Sequence, residues 1–232
     1  MTVNGEGSTG DSKMKNCKVV VSRDGPYLVS GNLPLAEKII VSDIEGTPVK
    51  WEEGRHHPDQ EKYDLCRCGR SANKPYCDKT HTRINFDGTE TAIRKEYAEQ
   101  AHTISGPGLV LTDAHVFCAA ARFCHRAGGV WKLTENSDNT KSREIAIQET
   151  WDCPSGRLVV WDRETGKPIE PQSELRISLV ENLREDTHGP IWLEGGIPLE
   201  SSDGTGYETR NRVTLCRCGK SENKPFCDGN HT

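Results

Sequence analysis

Short apolar runs, broken by glycine and proline, recur along the chain and predict strands rather than long helices. Residues 25–35, GPYLVSGNLPL, carry a Gly-Pro turn, a short apolar strand, a glycine turn and Pro-Leu, and residues 189–199, GPIWLEGGIPL, repeat this order. Residues 36–54 alternate in the manner of strands, and Val-Thr-Leu at 213–215 forms a further short strand. The pattern therefore predicts a β-rich unit that occurs twice.

The hundred residues between these units have a mixed pattern. Ile93, Tyr97 and Ala101 have helical spacing, and residues 114–127 are expected to form a helix capped by Asp113 and ended by a Gly-Gly pair. The runs GLVLT and RISLV read as strands. This part of the chain is predicted to combine helices and strands.

A nearly identical motif follows each β-rich unit. Residues 66–82, CRCGRSANKPYCDKTHT, and residues 216–232, CRCGKSENKPFCDGNHT, share 12 of 17 residues. Each copy supplies Cys-x-Cys, eight residues, a third cysteine, three residues and a histidine. The candidate ligands are Cys66, Cys68, Cys77, His81, Cys216, Cys218, Cys227 and His231. Such an internal repeat predicts two related binding sites.

Three thiolates and one imidazole in each copy are enough to close a metal site. Gly69 and Gly219 allow a tight turn after the first cysteine pair, and Asp78 and Asp228 can cap a short helix that carries cysteine and histidine on one face. Six of the ten cysteines lie in the two motifs, so disulfides explain the pattern poorly. The residues alone leave two metals open: zinc, which commonly takes Cys3His sites, and an iron–sulfur cluster, whose irons suit the short Cys-x-Cys bite.

The second copy resembles the signature of the CDGSH iron–sulfur (NEET) family, which has Cys-x-Cys, a serine, a proline and then Cys-Asp-Gly-x-His. The resemblance implies two [2Fe–2S] clusters in the chain, one in each copy, and an inner and an outer iron in each cluster. The implied inner-iron ligands are Cys66, Cys68, Cys216 and Cys218, and the implied outer-iron ligands are Cys77, His81, Cys227 and His231. The first copy departs from the family at Lys79, where the family has glycine, so we expect its site to be less stable or differently tuned.

The resemblance also implies an architecture. Ordinary family members pair two chains, whereas tandem-motif members, such as the mitochondrial inner NEET protein, form the pair within one chain. We therefore expect an α+β fold in which two β-rich CDGSH repeats form an intramolecular pseudo-dimer, with a mixed helical and strand insert between them. The expected segments are a disordered tail at 1–16, a first repeat at 17–88, a middle segment at 89–188 and a second repeat at 189–232.

The middle segment resembles a divergent single-cluster ferredoxin over about fifty residues. Cys118, five residues, Cys124 and a distant Cys153-Pro154 carry this similarity, which implies a [3Fe–4S] or [4Fe–4S] cluster. However, the residues between the first two cysteines, AAARF, favour a helix, and positions six apart on a helix point about 120° away from each other. This geometry favours an insert that has lost its cluster, with a third cluster as the alternative.

Composition and charge narrow the function. A net charge of −5 argues against nucleic-acid binding, and the absence of an 18-residue apolar run argues against a spanning helix. The first residues lack the features of a secretory signal or a transit peptide, so we expect a cytoplasmic protein. No catalytic constellation stands out, which favours a non-enzymatic carrier that transfers electrons or clusters to an acceptor protein. A zinc-stabilised interaction module is the alternative.

The basic residues around the motifs have two interpretations. They are Arg67, Arg70, Lys74, Arg217, Lys220 and Lys224. Such a group of basic residues is either a solvated face or a surface that tunes the potential of an anionic iron–sulfur cluster and docks an acidic partner.

Two motifs in one chain predict a monomer with internal pseudo-twofold symmetry.

Overall fold

A computed structural model describes residues 17–231 of the chain. The expected disordered tail, residues 1–16, lies outside the described residues. The fold is α+β and strands predominate. The strands are β1 (Lys18–Val21), β2 (Tyr27–Ser30), β3 (Leu35–Ser42), β4 (Pro48–His56), β5 (Lys62–Leu65), β6 (His102–Ser105), β7 (Leu109–Asp113), β8 (Leu158–Asp162), β9 (Arg176–Asn182), β10 (Thr187–Glu194), β11 (Leu199–Glu200) and β12 (Arg212–Leu215).

The helices are short and lie mainly in the middle of the chain. They are α1 (Thr80–Arg83), α2 (Tyr97–Gln100), α3 (Val130–Glu135) and α4 (Thr140–Trp151), with 3-10 helices at His115–Phe117 and Phe123–Gly128. Within residues 17–231, none of them combines the length and hydrophobicity needed to cross a bilayer.

Each repeat contributes strands to the sheet of the other repeat: the first repeat contributes β3 and β4, and the second contributes β11. One sheet has the order β11-β1-β2-β5 and the other β12-β10-β9-β3-β4. In the first, β11 runs parallel to β1, with Val19 opposite Leu199; in the second, β3 runs parallel to β9, with Leu35 opposite Ile177. Because β3 and β4 of the first repeat and β11 of the second repeat join the sheet of the other repeat, the two repeats form the expected pseudo-dimer within one chain.

A single hydrophobic core joins the two repeats. Val19 and Tyr27 from the first repeat and Ile177 and Ile191 from the second are buried in the same cluster. Burying one such aliphatic side chain contributes roughly 1.5–3 kcal/mol. Separating the repeats would expose this shared surface as well as two parallel strand pairings, so the pairing is part of the folded state of each repeat.

The middle of the chain has its own sheet and a smaller core. The sheet has the order β6-β7-β8, and Leu109, Leu111, Leu158 and Val160 pack with residues of α3 and α4. Strand β9, which the expected boundaries assign to this segment, instead lies in the sheet of the second repeat.

Arginine side chains connect the second repeat to the middle segment. Arg212, which is 2% exposed on β12, donates hydrogen bonds to the Cys153 carbonyl (2.8 Å) and to Glu170 (2.8 Å). Arg210 donates to the carbonyls of Ser155 (3.0 Å) and Gly156 (2.7 Å). These contacts fix the turn that carries Cys153 against the second repeat.

The predicted helix around Ile93 is largely wrong. Helix α2 covers Tyr97–Gln100, and the residues before it are not helical. The amides of Thr91 and Ala92 donate to the Lys224 carbonyl, both at 2.9 Å, and the Glu90 carboxylate accepts from Tyr207 (2.6 Å). Tertiary hydrogen bonds to the second repeat therefore replace the helical ones that local spacing favoured.

Helix α4 has no clear signal in the sequence because the buried face of this helix is polar. Its buried residues are Ala146, Glu149 and Thr150. Both carboxyl oxygens of Glu149 are buried without a hydrogen-bond partner. Burial raises the pKa of Glu149 to about 8, with a smaller upward contribution from Asp152 and an opposing one from Arg126. The neutral acid is therefore the form that fits the folded protein.

We expect the stability of the protein to fall as pH rises from 6.5 to 8. An unfolded glutamate titrates near pH ~4.3, so the folded state holds an additional proton on Glu149 up to about pH 8. Glu149→Gln cannot ionise and should flatten this part of the pH profile of the thermal midpoint. The exposed Glu144→Gln on the same helix is the control and should keep the wild-type slope. Parallel profiles for wild type and Glu149→Gln would contradict the expectation.

Candidate metal centres

The motif places two sulfur atoms close together just after a strand. Cys66 and Cys68 follow β5, and their sulfur atoms lie 3.8 Å apart. Cys216 and Cys218 follow β12, and theirs lie 3.6 Å apart. A tetrahedral ion with metal–sulfur bonds of ~2.3 Å separates two thiolates by about 3.8 Å. Each pair is therefore spaced to bind one metal ion.

The third cysteine and the histidine of each copy form a second pair. The Sγ of Cys77 lies 3.3 Å from Nδ1 of His81, and the Sγ of Cys227 lies 3.2 Å from Nδ1 of His231. In the first copy α1 begins at Thr80 and carries the histidine, whereas the same residues of the second copy form a turn. The four-residue spacing of cysteine and histidine thus brings the pair together with or without a regular helix.

The four predicted ligands of each copy do not converge on one point. Within the part of the chain that the structure describes, no three side chains among cysteine, histidine, aspartate and glutamate are placed to hold a common metal ion. A mononuclear zinc site would bring all four ligands to one ion. Two separate pairs suit a centre with two metal ions, which is the arrangement that a [2Fe–2S] cluster requires. The donor set and its spacing therefore fit this cluster.

Backbone hydrogen bonds fix both pairs of a copy to the same strand. The Cys66 amide donates to the Pro75 carbonyl (2.8 Å), and the Cys77 amide donates to the Asp64 carbonyl (2.9 Å). The second copy repeats both bonds at equivalent positions. The distance between the two pairs is thus set by the chain itself, so that the ligands are held in position before a metal binds.

The aspartate of each motif ties the cysteine loop to the turn that carries the histidine. Asp78 accepts from the amides of Ala72 and Thr80, both at 2.9 Å, and these donors, the Ala72 amide first, hold the pKa of its carboxyl well below the ordinary value. The N-cap of α1 is Lys79 rather than the predicted Asp78, and the bond from Ala72 to Asp78 instead closes the loop across six residues. Asp228 makes the corresponding bonds to Glu222 and Asn230.

Burial shifts the pKa values of the thiols and of the imidazole in opposite directions. Burial raises the pKa of Cys77 and raises that of Cys227 to about 12, and the amides that donate to these sulfurs, from Lys79 (3.4 Å) and Gly229 (3.5 Å), oppose the change. Burial, with a smaller contribution from Arg217, lowers the pKa of His231. A buried neutral imidazole keeps its lone pair for a metal, and a metal ion compensates the thiolates that burial disfavours.

The two cysteine loops cross at their glycines. A Cβ on Gly69 would lie 2.5 Å from the Cys218 carbonyl oxygen, and one on Gly219 would lie 2.9 Å from the Cys68 carbonyl oxygen. Both glycines also have positive φ, at 73° and 80°, as the predicted tight turn requires. Sequence reasoning found the turn but missed the close approach, which brings the two motifs into direct contact.

Tyr27 makes a further contact between the two repeats. Its hydroxyl, on β2 of the first repeat, donates to the carbonyls of Cys216 (2.8 Å) and Pro225 (3.0 Å) in the second motif. The equivalent residue of the second repeat is Ile191, which cannot form such a bond. This substitution of tyrosine for isoleucine within GPYLV and GPIWL was a visible signal in the sequence, but its meaning depends on the strand exchange.

The basic residues divide into two groups. Arg67 and Arg217 are internal: Arg67 donates to the Ser22 carbonyl (3.2 Å), and Arg217 donates to the Val180 carbonyl (2.7 Å) and to Glu181 (2.8 Å). Of the others, Arg70, Lys74 and Lys220 line a cavity of about 430 Å³ between the two motifs, which Arg217 also lines, whereas Lys224 lies outside this lining. The lining also includes His188 and the sulfur-bearing residues Cys66, Cys68 and Cys218.

The departure at Lys79 has a structural counterpart. Lys79 is exposed and has a φ of 66°, and Gly229 at the same place in the second motif has a φ of 86°. A Cβ on Gly229 would meet the Cβ of Ala120 at 3.1 Å and the Cys118 carbonyl oxygen at 3.4 Å. Glycine at this place in the second motif thus allows the positive φ and leaves room for the middle segment, which packs on it. At Lys79 the position is open, so the left-handed conformation is the only constraint on the residue there.

The predicted helix through residues 114–127 is wrong. The chain forms two short 3-10 helices and between them an irregular loop, in which Ala120 and Arg122 have φ of 56° and 60°. The prediction that Cys118 and Cys124 point away from each other rested on this helix, which does not form. Both cysteines instead line the same small cavity as Cys153. Burial raises the pKa of Cys124 to about 12, and the neighbouring Cys153 thiol also raises it.

Sequence reasoning missed Arg157 at this cavity. Its guanidinium donates to the Cys118 sulfur (3.1 Å) and, through two further nitrogens, to the carboxylate of Asp113 (2.6 and 2.8 Å). The signal in the sequence was an isolated charged residue directly before the apolar run LVVW, four residues after Cys153. A buried arginine of this kind needs an anionic partner, which Asp113 supplies.

Comparison with known protein families agrees with this arrangement. Residues 24–82 and 188–232 match the family described as "Iron-binding zinc finger CDGSH type". Residues 104–163 match the family described as "Divergent 4Fe-4S mono-cluster". No curated protein and no solved structure matches the chain. Both matched families bind iron, so the motif cysteines belong to an iron–sulfur protein.

We expect Tyr27→Phe to weaken metal retention at the second motif. The substitution removes the donor to the buried Cys216 carbonyl, which costs roughly 1–3 kcal/mol, whereas the Pro225 carbonyl keeps the Cys216 amide as its donor. Metal release from the second motif, measured in protein whose first motif carries Cys77→Ser, should be several-fold faster. Tyr63→Phe, which removes a bond to the Leu33 carbonyl within the first repeat, is the matched control. Equal release rates for the two variants would show that the cross-repeat bond has no specific effect.

We expect Lys79→Gly to stabilise the first repeat. Lysine is strained at positive φ, whereas glycine is not. Glycine loses more backbone entropy on folding, and after this loss is subtracted the free energy of unfolding should rise by about 0.5–1 kcal/mol. Denaturant unfolding should therefore shift to a higher midpoint. Thr82→Gly, inside α1 and exposed, should lower the midpoint instead. A lower midpoint for Lys79→Gly would refute the strain at this position.

Proposed function

Because this chain belongs to the CDGSH iron–sulfur family and carries the family motif twice, we propose that it is a carrier with two [2Fe–2S] centres rather than an enzyme. Cys66, Cys68, Cys77 and His81 would hold one cluster, and Cys216, Cys218, Cys227 and His231 the other. The observation that carries the proposal is the separation of each ligand set into two pairs, each spaced for one metal ion.

When bound, such clusters supply one-electron redox chemistry. The chain's own residues determine how the centres are held. The cysteine pairs after β5 and β12 are buried or half-buried. His81 and His231 would bind as neutral imidazoles, which protons can displace from a metal. Replacing a thiolate with an imidazole removes one negative charge from the site, which favours a higher potential.

The surface around the cavity between the motifs supports a protein partner. Arg70, Lys74 and Lys220 line this cavity together with cysteines of both motifs. Cationic side chains beside an anionic centre suit an acidic acceptor of electrons or of clusters, and charge complementarity mainly accelerates such encounters. Since one chain supplies both repeats, we propose a monomer, located in the cytoplasm, that needs no second copy to complete the pair.

Metal and sulfide analysis tests this proposal. In protein whose middle cysteines, Cys118, Cys124 and Cys153, are replaced by serine, only the two motifs can bind. We expect about four irons and four acid-labile sulfides per chain, with the visible absorption of iron–sulfur protein. A colourless protein that contains zinc as its metal would refute the proposal. About two irons and two sulfides would mean that one motif, expected to be the Lys79 copy, is empty.

We expect both centres to lose their colour faster as pH falls below about 6. A histidine ligand must be neutral, so protons compete with the metal, and an imidazole leaves more readily than a thiolate. His231→Cys should slow acid bleaching at the second motif and lower its potential, and His81→Cys should do the same at the first motif. If His231→Cys protein bleached as fast as wild type, the histidine would not be the weak ligand.

A further inference from the structure

A cavity of about 370 Å³ lies where the middle segment meets the second repeat. Its walls come from three parts of the chain: residues 93–96, which precede α2; Phe117 in the middle segment; and, in the second repeat, residues between 206 and 210 together with Phe226. None of these residues is a predicted metal ligand, and none lines the cavity between the motifs. Small organic ligands bind in cavities of ~300–1,000 Å³, so this one is large enough for a small molecule.

Three aromatic rings form one wall of this cavity. Phe117 and Tyr207 each meet Phe226 close to a right angle, and the ring centroids are 5.1 Å apart in both pairs. Aromatic rings prefer edge-to-face or offset contacts with one another, so a ring in the cavity would extend the cluster in the same geometry. The wall therefore favours a ligand with a flat aromatic body.

Arg210 places a positive charge beside this wall. Its guanidinium lies over the rings of Phe117 and Tyr97, at 4.5 and 4.7 Å from the centroids. Both of its hydrogen bonds, to the carbonyls of Ser155 and Gly156, come from Nη2. In the described part of the chain, Arg210 forms no ion pair with a carboxylate, and its Nε and Nη1 have no protein acceptor. The guanidinium is thus held in place and keeps N–H donors for a ligand.

The other charged groups of the lining do not neutralise Arg210. The carboxylates of Glu96 and Glu208 accept backbone amides of α2, and Arg94 pairs with carboxylates outside the cavity. Lys95 is exposed, and its ammonium has no carboxylate partner among the residues that the structure describes. Burial lowers the pKa of Arg210, and a bound anion would offset this cost of the charged form. The lining therefore has two cations without a counter-ion.

We propose that this cavity binds a small aromatic carboxylate, with its ring against Phe226 and its carboxylate at Arg210 and Lys95. A planar guanidinium suits a planar carboxylate, and the aromatic wall distinguishes such a ligand from inorganic anions. The site adjoins the second motif, since Phe226 directly precedes Cys227. It contains no metal ligand, so this assignment and the proposed iron–sulfur centres can each fail without the other.

Isothermal titration calorimetry with 2-naphthoate tests the proposal, on the full chain isolated with its bound metal. The neutral 2-naphthamide has the same ring system and should bind roughly tenfold more weakly, because it lacks the charge. Lys95→Gln should weaken naphthoate binding several-fold. Lys167→Gln, which changes an exposed lysine outside the cavity, is the matched control and should leave the affinity unchanged.

A second pair of variants makes the test specific to this cavity. A Cβ on Gly206 would meet no atom within 4 Å, so Gly206→Leu should fill open space, keep the contacts of Arg210 and abolish binding. Arg210→Gln should weaken binding roughly tenfold or more. Equal naphthoate binding by wild type and Gly206→Leu protein would overturn the proposal. So would equal affinities for naphthoate and naphthamide, or no detectable binding at millimolar naphthoate.

Discussion

The parallel pairing of β3 with β9 and of β11 with β1 is the constraint on which the rest of the structure depends. The first repeat places β3 and β4 in the sheet of the second, and the second places β11 in the sheet of the first, so neither sheet is complete without both repeats. The cysteine loops that follow β5 and β12 then meet, and their crossing is so close that Gly69 and Gly219 leave no room for a side chain. Tyr27 adds a hydrogen-bond donor across the same boundary. The two motifs are consequently neighbours in the fold.

The middle segment breaks this symmetry because it packs on the second motif, in addition to its contact with β4 of the first repeat, where Phe123 stacks on Trp51. Asn223 donates to the Val116 carbonyl (3.0 Å), and the rings of Phe117 and Phe226 meet edge to face at 5.1 Å. Arg212 fixes the turn of Cys153 from the other side. The second motif is therefore enclosed between the first motif and the insert, whereas the first has an open flank at Lys79. The three groups of cysteines form a series in which the second motif is the contact between the other two.

Much of the fold could be predicted from the sequence because its signals are local. The spacing of Cys66, Cys68, Cys77 and His81, and its repetition 150 residues later, indicated the ligand sets, and the paired GPYLV and GPIWL runs indicated the strands. The exchange of strands between the two sheets was not predictable in detail, because an apolar run does not indicate which sheet the strand will join. Helix α4 was missed because its buried face is polar, with Glu149 at its centre.

The errors around the middle cysteines have a common cause. The alanines at 119–121 favour a helix by local propensity, but the loop that they form is held by contacts remote in sequence: Arg157 on Cys118, and Gly229 against Ala120. Likewise the residues before Tyr97 exchange helical bonds for bonds to Lys224. In both places tertiary hydrogen bonds and packing outweigh propensities that differ by less than ~1 kcal/mol per residue.

The central claim is that each CDGSH motif holds two metal ions on two ligand pairs, and X-ray absorption at the metal edge tests it most directly. The measurement uses protein whose three middle cysteines are replaced by serine, so that only the two motifs contribute. The account predicts iron surrounded mainly by sulfur, with some nitrogen from His81 and His231, and a second iron in the next shell. A single metal ion with three sulfurs, one nitrogen and no metal neighbour would contradict it.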